Sequence, residues 1–186
     1  MQEWNEKRRT MRHYDHQAKV YDAQYLEEQN AKIEDALNSM ELGSNELVLD
    51  LGCGTGFLFQ HMDKTTKLLV GLDTSSKVLR EAKKHTKTLS NTVLIRADAD
   101  NTPFLNHIFD RIFAITLLQN MPDPMRTISE MKRVSKPEAV FVVTGLKKKF
   151  TPESFSVLLR KAQLKISILQ INENLKDYIA VCTNLE

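Results

Sequence analysis

Cysteine is scarce in this chain of 186 residues: Cys53 and Cys182 stand far apart and form no CxxC pair. Neither a disulfide framework nor a cysteine zinc site follows. The five histidines, His13, His16, His61, His85 and His107, contain no HExxH pattern. His13 and His16 are spaced i, i+3 but have no third ligand near them, so no metal site is expected. Apolar runs are short; the longest, such as LVLDL and IFAITLL, are far below the length of a bilayer span. The leading segment MQEWNEKRRT has basic residues but no apolar stretch behind them, unlike a secretory signal. The expectation is a cytoplasmic protein without membrane insertion. A net charge of +2 is too small to indicate a nucleic-acid partner by itself.

What remains has the balance of one soluble globular domain: hydrophobic residues make up 41% and charged residues 27%, which favours neither disorder nor a membrane class. Charge is nevertheless uneven. Lys7, Arg8, Arg9 and Arg12 cluster near the start, and Lys147, Lys148 and Lys149 form a second group. Brought to one rim they would attract phosphate; as separate solvated faces they carry no function.

From Asp15 to about Met40, Ala18, Tyr21, Tyr25, Ile33, Leu37 and Met40 recur at helical intervals, which predicts an amphipathic helix or a helix pair ended by Gly43. Beyond it, short apolar runs alternate with polar helical segments. ELVLDL (46–51), KLLVGLD (67–73), TVLIRAD (92–98), FDRIFAITLL (109–118) and AVFVVTGL (139–146) read as buried strands. Between them FLFQHM, SSKVLREAKKH and PMRTISEMKRV read as helices. Ser75 or Ser76, Asp123 before Pro124, and Thr151 before Pro152 supply helix-start signals. This alternation predicts an α/β fold, an open parallel sheet with helices on both faces. LKISILQI and KDYIAVCT, joined by NENL, predict a C-terminal antiparallel hairpin.

In such a sheet, ligands bind beyond the carboxyl ends of the strands. After the first strand come Gly52, Cys53, Gly54, Thr55, Gly56 and Phe57. Glycine permits a sharp turn and a close backbone approach, and the helix beginning there would turn free amides toward a ligand. The dinucleotide fingerprint needs glycines at its first, third and sixth positions. Phe57 occupies the sixth here, which makes NAD or FAD the weaker reading. Asp73 ends the second strand, where a carboxylate can accept from ribose hydroxyls, and Asp98 ends the third, where it can accept from an exocyclic amine. Each could instead cap a local turn.

VLDLGCGTGFL resembles the first motif of the class I methyltransferases that use S-adenosylmethionine. GLDTSSKVL resembles their second motif, and ADADNTPF followed by FDRI the third motif and fourth strand. LLQNMPDPMRTISEMKRVSKP resembles the segment after that strand. The likeness covers roughly residues 14–145 and is greatest to the broad group that includes the quinone-biosynthesis methyltransferases. It implies a Rossmann-like fold with S-adenosyl-L-methionine as cofactor, and the glycine turn at Gly52, Cys53, Gly54 and Gly56 lining its methionine and ribose side. Asp50 would hold the turn and approach the methionine amino group. Asp73 would bind the ribose, with Thr74 beside the adenine. Asp98 would accept from the adenine amine and Ala99 would offer a backbone contact. Leu117 would lie where the backbone meets the ligand amine, and Tyr14 and Tyr21 are candidates for the aromatic that closes over the cofactor; plain core packing of an amphipathic helix is their alternative role.

Residues 1–42 then form an N-terminal helical segment able to act as a lid, and 43–186 the methyltransferase domain. Phe104 and Gln119 are the substrate-facing residues expected. No general base stands out: His107 falls in a loop and Asp123 reads as a helix cap. The Asn-Pro-Pro-aromatic tetrad of related enzymes is absent. So is the family's common Lys-Pro-Gly-Gly, replaced by Lys136, Pro137, Glu138 and Ala139, which predicts an altered turn before the fifth strand. Only LKKKF follows that strand, so any cover must come from residues 1–40, from a second subunit, in a homodimer or from a partner, or from the substrate. Three functions remain in view: a methyltransferase for a small-molecule acceptor, slightly favoured; one for RNA or protein with a partner subunit; and a non-catalytic partner protein that keeps the fold.

Overall fold

The sheet is built outward from its first strand. The computed structural model describes residues 2–18, 20–62 and 66–185. β1 (Glu46–Leu51) pairs in parallel with β2 (Thr66–Asp73) on one side and β4 (Phe109–Ala114) on the other. β3 (Thr92–Arg96) lies beyond β2, and β5 (Ser135–Leu146) beyond β4, all parallel. β7 (Asp177–Asn184) then pairs antiparallel with β5, and β6 (Leu164–Gln170) antiparallel with β7, giving the order β3-β2-β1-β4-β5-β7-β6. The expected open, mostly parallel sheet with a C-terminal antiparallel hairpin is thus present.

Period-two alternation sends side chains to opposite faces. Leu49, Leu51, Val70, Leu72, Ile112 and Ala114 join one core with α5 (Pro124–Val134) and α6 (Pro152–Lys161). Val48, Leu69, Phe113 and Val142 join a second core with α2 (Tyr21–Asn38) and α3 (Phe57–Met62). α4 (Ser76–His85) adds Leu79 to the second. Helix starts follow the sequence signals: Ser75 accepts from Val78 N–H, Asp123 accepts from Met125 and Arg126 N–H, and Thr151 forms a reciprocal capping box with Ser154.

Several expectations need correction. α2 ends at Asn38 with Ser39 as its C-cap, and Gly43 lies in the connection beyond it. The charge-dense leading segment is itself a helix, α1 (Gln2–Gln17). The fourth strand stops at Ala114 because Thr116 takes a left-handed backbone with φ 59°, and a short 3-10 turn, Leu118–Asn120, follows. The altered Lys-Pro-Gly-Gly segment differs locally, as expected: Phe109 faces Ser135 but Arg111 faces Val140, so residues 136–139 bulge from the ladder within β5. Lys136 there pairs with Asp110 at 2.6 Å.

Candidate functional site

Beta strands β1 to β4 deliver their carboxyl ends to one cleft, at the place where strand order reverses on either side of β1. Gly52, Cys53 and Gly54 follow β1; Asp73 and Thr74 close β2; Ala97, Asp98 and Ala99 follow β3; Ile115, Thr116 and Leu117 follow β4. All line one cavity. Asp50, the penultimate residue of β1, forms part of its wall.

The glycines divide their labour. Gly52 has φ 76°, and a Cβ there would meet Leu117 Cδ1 at 2.9 Å, so it allows β1 and the β4 loop to approach. Gly54 has φ 55° and nothing within 4 Å of its missing Cβ, leaving ligand space that any side chain would fill. Gly56, expected on the ligand side, is not in the lining; a Cβ there would lie 2.5 Å from the Phe59 ring, which makes it a packing glycine.

The amides expected to face a ligand are largely committed within the protein. Gly52 and Cys53 N–H donate to Leu72 carbonyl, Gly56 N–H to Cys53 carbonyl, and Gly54 N–H to Asp73 Oδ2 at 3.2 Å. A phosphate would find few free donors here. The cleft offers two acidic side chains instead. Asp50 is 4% exposed, and burial, with the nearby Asp73 carboxylate, pushes its pKa up to about 8. Burial also raises Asp73, against the lowering effect of N–H bonds from Ser75 and Gly54. Two crowded carboxylates of this kind favour a cationic ligand. Thr55 Oγ1, buried in the same wall, has no hydrogen-bond partner among the described residues. Burial holds the Cys53 thiol well above its ordinary range, so it stays protonated and is no nucleophile.

The leading helices cover this cleft. Lys7, Thr10, Met11 and Tyr14 come from one face of α1, at spacing i, i+3, i+4, i+7, and line the cavity. Ser75 Oγ donates to Asp15, and Asn120 Nδ2 donates to Tyr14 hydroxyl at 3.0 Å. Tyr21 stands beside Tyr14, ring centroids 5.9 Å apart, and accepts from Gln29. Burial raises both phenols above their ordinary range, so both remain protonated at neutral pH.

Of the two expected substrate residues, Phe104 packs edge-on against Phe109 in the core below. Gln119 lines a second cavity with Tyr25, Lys32 and Asp177. That cavity shares Tyr14, Tyr21, Gln29, Thr116 and Asn120 with the first. Gln29, Lys32, Asn120 and Asp177 were missed in the sequence, and Lys7 was read only as part of a basic cluster. The α1 stripe was visible as helical spacing, but its Lys-Thr-Met-Tyr content hid it from an apolar pattern. The basic clusters are partly consumed: Lys7 pairs with Asp98 and Asp100, and Lys147 donates to Asn172 carbonyl and lies over the Tyr178 ring. His107 is exposed and bonds Ser135 carbonyl. Among the described residues no cluster could hold a metal ion, and no helix is long and apolar enough to cross a membrane.

Residues 49–143 match the family described as a methyltransferase domain. The chain is 32% identical over 119 residues to a demethylmenaquinone methyltransferase of Staphylococcus saprophyticus, covering 62% of this chain and 51% of that protein. It is 30% identical over 149 residues to a malonyl-[acyl-carrier protein] O-methyltransferase of Marinomonas, covering 79% and 55%. The chain therefore spans about half the length of the curated relatives it matches. Among solved structures, a putative methyltransferase in complex with the Haloferax volcanii Trm112 methyltransferase activator superposes with TM-score 0.83 at 17% identity, covering 93% of this chain and 98% of that one. An Aquifex aeolicus SAM-dependent methyltransferase superposes with TM-score 0.73 at 17% identity, covering 81% and 88%.

Proposed function

Because the chain belongs to the class I methyltransferase-domain family, we propose that it transfers a methyl group from S-adenosylmethionine to a small-molecule acceptor held under its leading helices. The observation that carries this reading is the acidic cleft, where Asp50 and Asp73 face a turn whose amides are already committed. Such a site suits a ligand with an ammonium and a sulfonium better than a pyrophosphate. The open space at Gly54 and the unpartnered Thr55 hydroxyl fit the same group.

In this reading Asp50 takes the amino group, Gly52 and Gly54 line the methionine and ribose portion, and Asp73 accepts from the ribose hydroxyls. Thr74, Asp98 and Ala99 border the adenine, with Leu117 across from them. The bound cofactor supplies a methyl group already activated on a positive sulfur. The protein's remaining task is to hold the acceptor in line and exclude water, which is worth roughly 7–11 kcal/mol in favourable cases. Tyr14 and Tyr21, fastened by Asn120 and Gln29, close the side where water would enter. Residues 1–42 serve as the cover and 43–186 as the methyltransferase domain.

Engagement of Lys7 and Lys147 inside the protein weakens the case for a continuous phosphate-binding edge and favours a small acceptor over RNA. Transfer of a radiolabelled methyl group into a cell extract, separated into small-molecule, RNA and protein fractions, tests this with Asp73→Ala as control. Label is expected in the small-molecule fraction and absent with the variant. Label in RNA or protein would overturn the acceptor class. No label in any fraction, with the cofactor bound, would overturn the enzyme reading in favour of a non-catalytic subunit.

A further inference from the structure

His85 ends α4 with both ring nitrogens against acceptors. Nδ1 lies 2.8 Å from the Thr55 carbonyl oxygen in the glycine turn, and Nε2 lies 3.1 Å from Asp22 Oδ2 in the first turn of α2. A carbonyl and a carboxylate accept and do not donate, so both contacts are hydrogen bonds only when each nitrogen carries a proton. The neutral ring has a single N–H and must turn a lone pair toward one of the two oxygens. Asp22 depends on this partner: its Oδ1 is buried and has no hydrogen-bond partner among the described residues.

The two ends of this bridge lead to the floor and to the cover of the cofactor cleft. Thr55 lines the cleft. The peptide joining it to Gly56 is held on both sides, its carbonyl by His85 and its N–H by the Cys53 carbonyl at 2.9 Å. Asp22 follows Tyr21, whose ring centroid lies 5.9 Å from that of Tyr14 and 6.4 Å from that of Phe57 at the start of α3. One imidazole thus ties the helix start that carries a cleft tyrosine to the turn beneath it.

We propose that His85 is a positioning residue that clasps the helical cover to the glycine turn while it is protonated, so that closure over the cofactor weakens as pH rises through the histidine range. The inference rests on the methyltransferase reading for the identity of the cofactor, though not for the clasp itself. Imidazole changes charge between about pH 5 and 8. The imidazolium makes both bonds and opposes the carboxylate with a positive charge; the neutral ring gives up one bond and that charge. The clasp is therefore complete at the acid end and lost toward the alkaline end.

Other charged groups on the elements around α4 are engaged elsewhere or exposed. On α4, Glu81 pairs with Lys84 at 2.5 Å, and Lys77, Arg80 and Lys83 are exposed. α1 brings Asp15, which accepts from Ser75, with Arg12 and His16 exposed. α3 brings His61, which bonds Asn30 Oδ1 at 3.2 Å. β2 brings the exposed Lys67 and Asp73, which accepts from the Gly54 and Ser75 amides, and Arg96 of β3 donates to the Thr74 carbonyl at 2.9 Å. Because His16 and His61 are histidines too, the test compares variants of the clasp rather than pH alone.

Release of S-adenosylhomocysteine from the full chain, followed by stopped flow from about pH 5.5 to 8.5, tests the clasp with His85→Gln and Asp22→Asn, singly and together. At the acid end each variant is expected to release it about fivefold faster than the wild type, the factor of a partly exposed ion pair, and the double variant to match the singles. At the alkaline end the difference is expected to vanish. A difference that persists across the range would make His85 a merely structural residue and overturn the proposal, as would variants that match the wild type at the acid end. Hydrogen-exchange protection of the first turn of α2 in the cofactor-free chain, corrected for the intrinsic pH dependence of exchange, is expected to fall with rising pH in the wild type and to stay level in the variants. If the wild type binds no S-adenosylhomocysteine at any pH, the cofactor reading falls and this protection decides the clasp: a fall confined to the wild type supports it, and identical profiles overturn it.

Discussion

Lys7 Nζ lies 2.8 Å from each carboxylate oxygen of Asp98 and 2.5 Å from Asp100 Oδ2. A residue of the first helix thereby closes on the acid that follows the third strand, 91 positions away. All three residues are largely sheltered, with side-chain exposures of 12% for Lys7, 24% for Asp98 and 3% for Asp100, so this contact is less screened by salt than a surface pair. Asp98 also accepts from Asp100 N–H, which keeps it turned toward the cleft.

Lys7→Met should loosen α1 without unfolding the sheet. A charge-assisted hydrogen bond of this kind contributes about 1.5–3 kcal/mol, so cofactor release should accelerate by roughly tenfold or more. Hydrogen exchange should rise across residues 2–17 and stay unchanged in β1 and β4. Equal loss of protection throughout would assign Lys7 to global stability instead.

Asp50 makes the free protein sensitive to pH. Its folded pKa is raised to about 8 from an ordinary 3.8, so between those values the folded state holds a proton that the unfolded chain has lost. Stability therefore falls as pH rises through that window, and the penalty is complete above about pH 8. Asp50→Asn should raise the melting temperature at pH 8 by roughly 2–4 °C per kcal/mol recovered, with no gain at pH 4, while weakening the cofactor. In the wild type, a cation binding beside Asp50 should release a proton at pH 7, readable by calorimetry in buffers of different ionisation enthalpy. Identical heats in all buffers would separate Asp50 from the bound cation.

Two neighbouring glycines should fail differently. Gly52→Ala drives a Cβ to 2.9 Å from Leu117 at φ 76° and should cost about 1–3 kcal/mol of stability. Gly54→Ala meets nothing within 4 Å, so its stability loss should stay near the about 1–2 kcal/mol of left-handed backbone strain. Its cofactor affinity should nonetheless drop, because the new methyl enters the ligand's space. Paired melting and binding curves distinguish the two, and intact binding by Gly54→Ala would displace the ligand from the turn.

Asp73 serves both the turn and the ligand, accepting from Gly54 N–H at 3.2 Å and from Ser75 N–H at 2.8 Å. Asp73→Asn keeps the shape and one acceptor, and should weaken cofactor binding by about 1.5–3 kcal/mol. The unfolding midpoint should move little, since removing the charge also relieves the repulsion with Asp50. Unchanged affinity would place the ribose contact elsewhere.

Much of this arrangement was legible in the order of residues. VLDLGCGTGFL, the acids at Asp73 and Asp98 and the alternating strands specify where backbone turns and which face is buried, because those properties repeat at short, regular spacing. The hairpin and the helix caps at Ser75, Asp123 and Thr151 were legible for the same reason. What escaped was polar and distant. Gln29 and Lys32 sit on the buried face of α2 where an apolar pattern expects carbon. Asn120 reaches Tyr14 across 106 positions, and Lys32 reaches Thr116 across 84. Local periodicity by itself determined the strands, the glycine turn and the acids at the strand ends. Only the tertiary structure decided which lysine, glutamine and carboxylate would meet above that edge, because buried polar groups find partners through the path of the whole chain rather than through any neighbour in sequence.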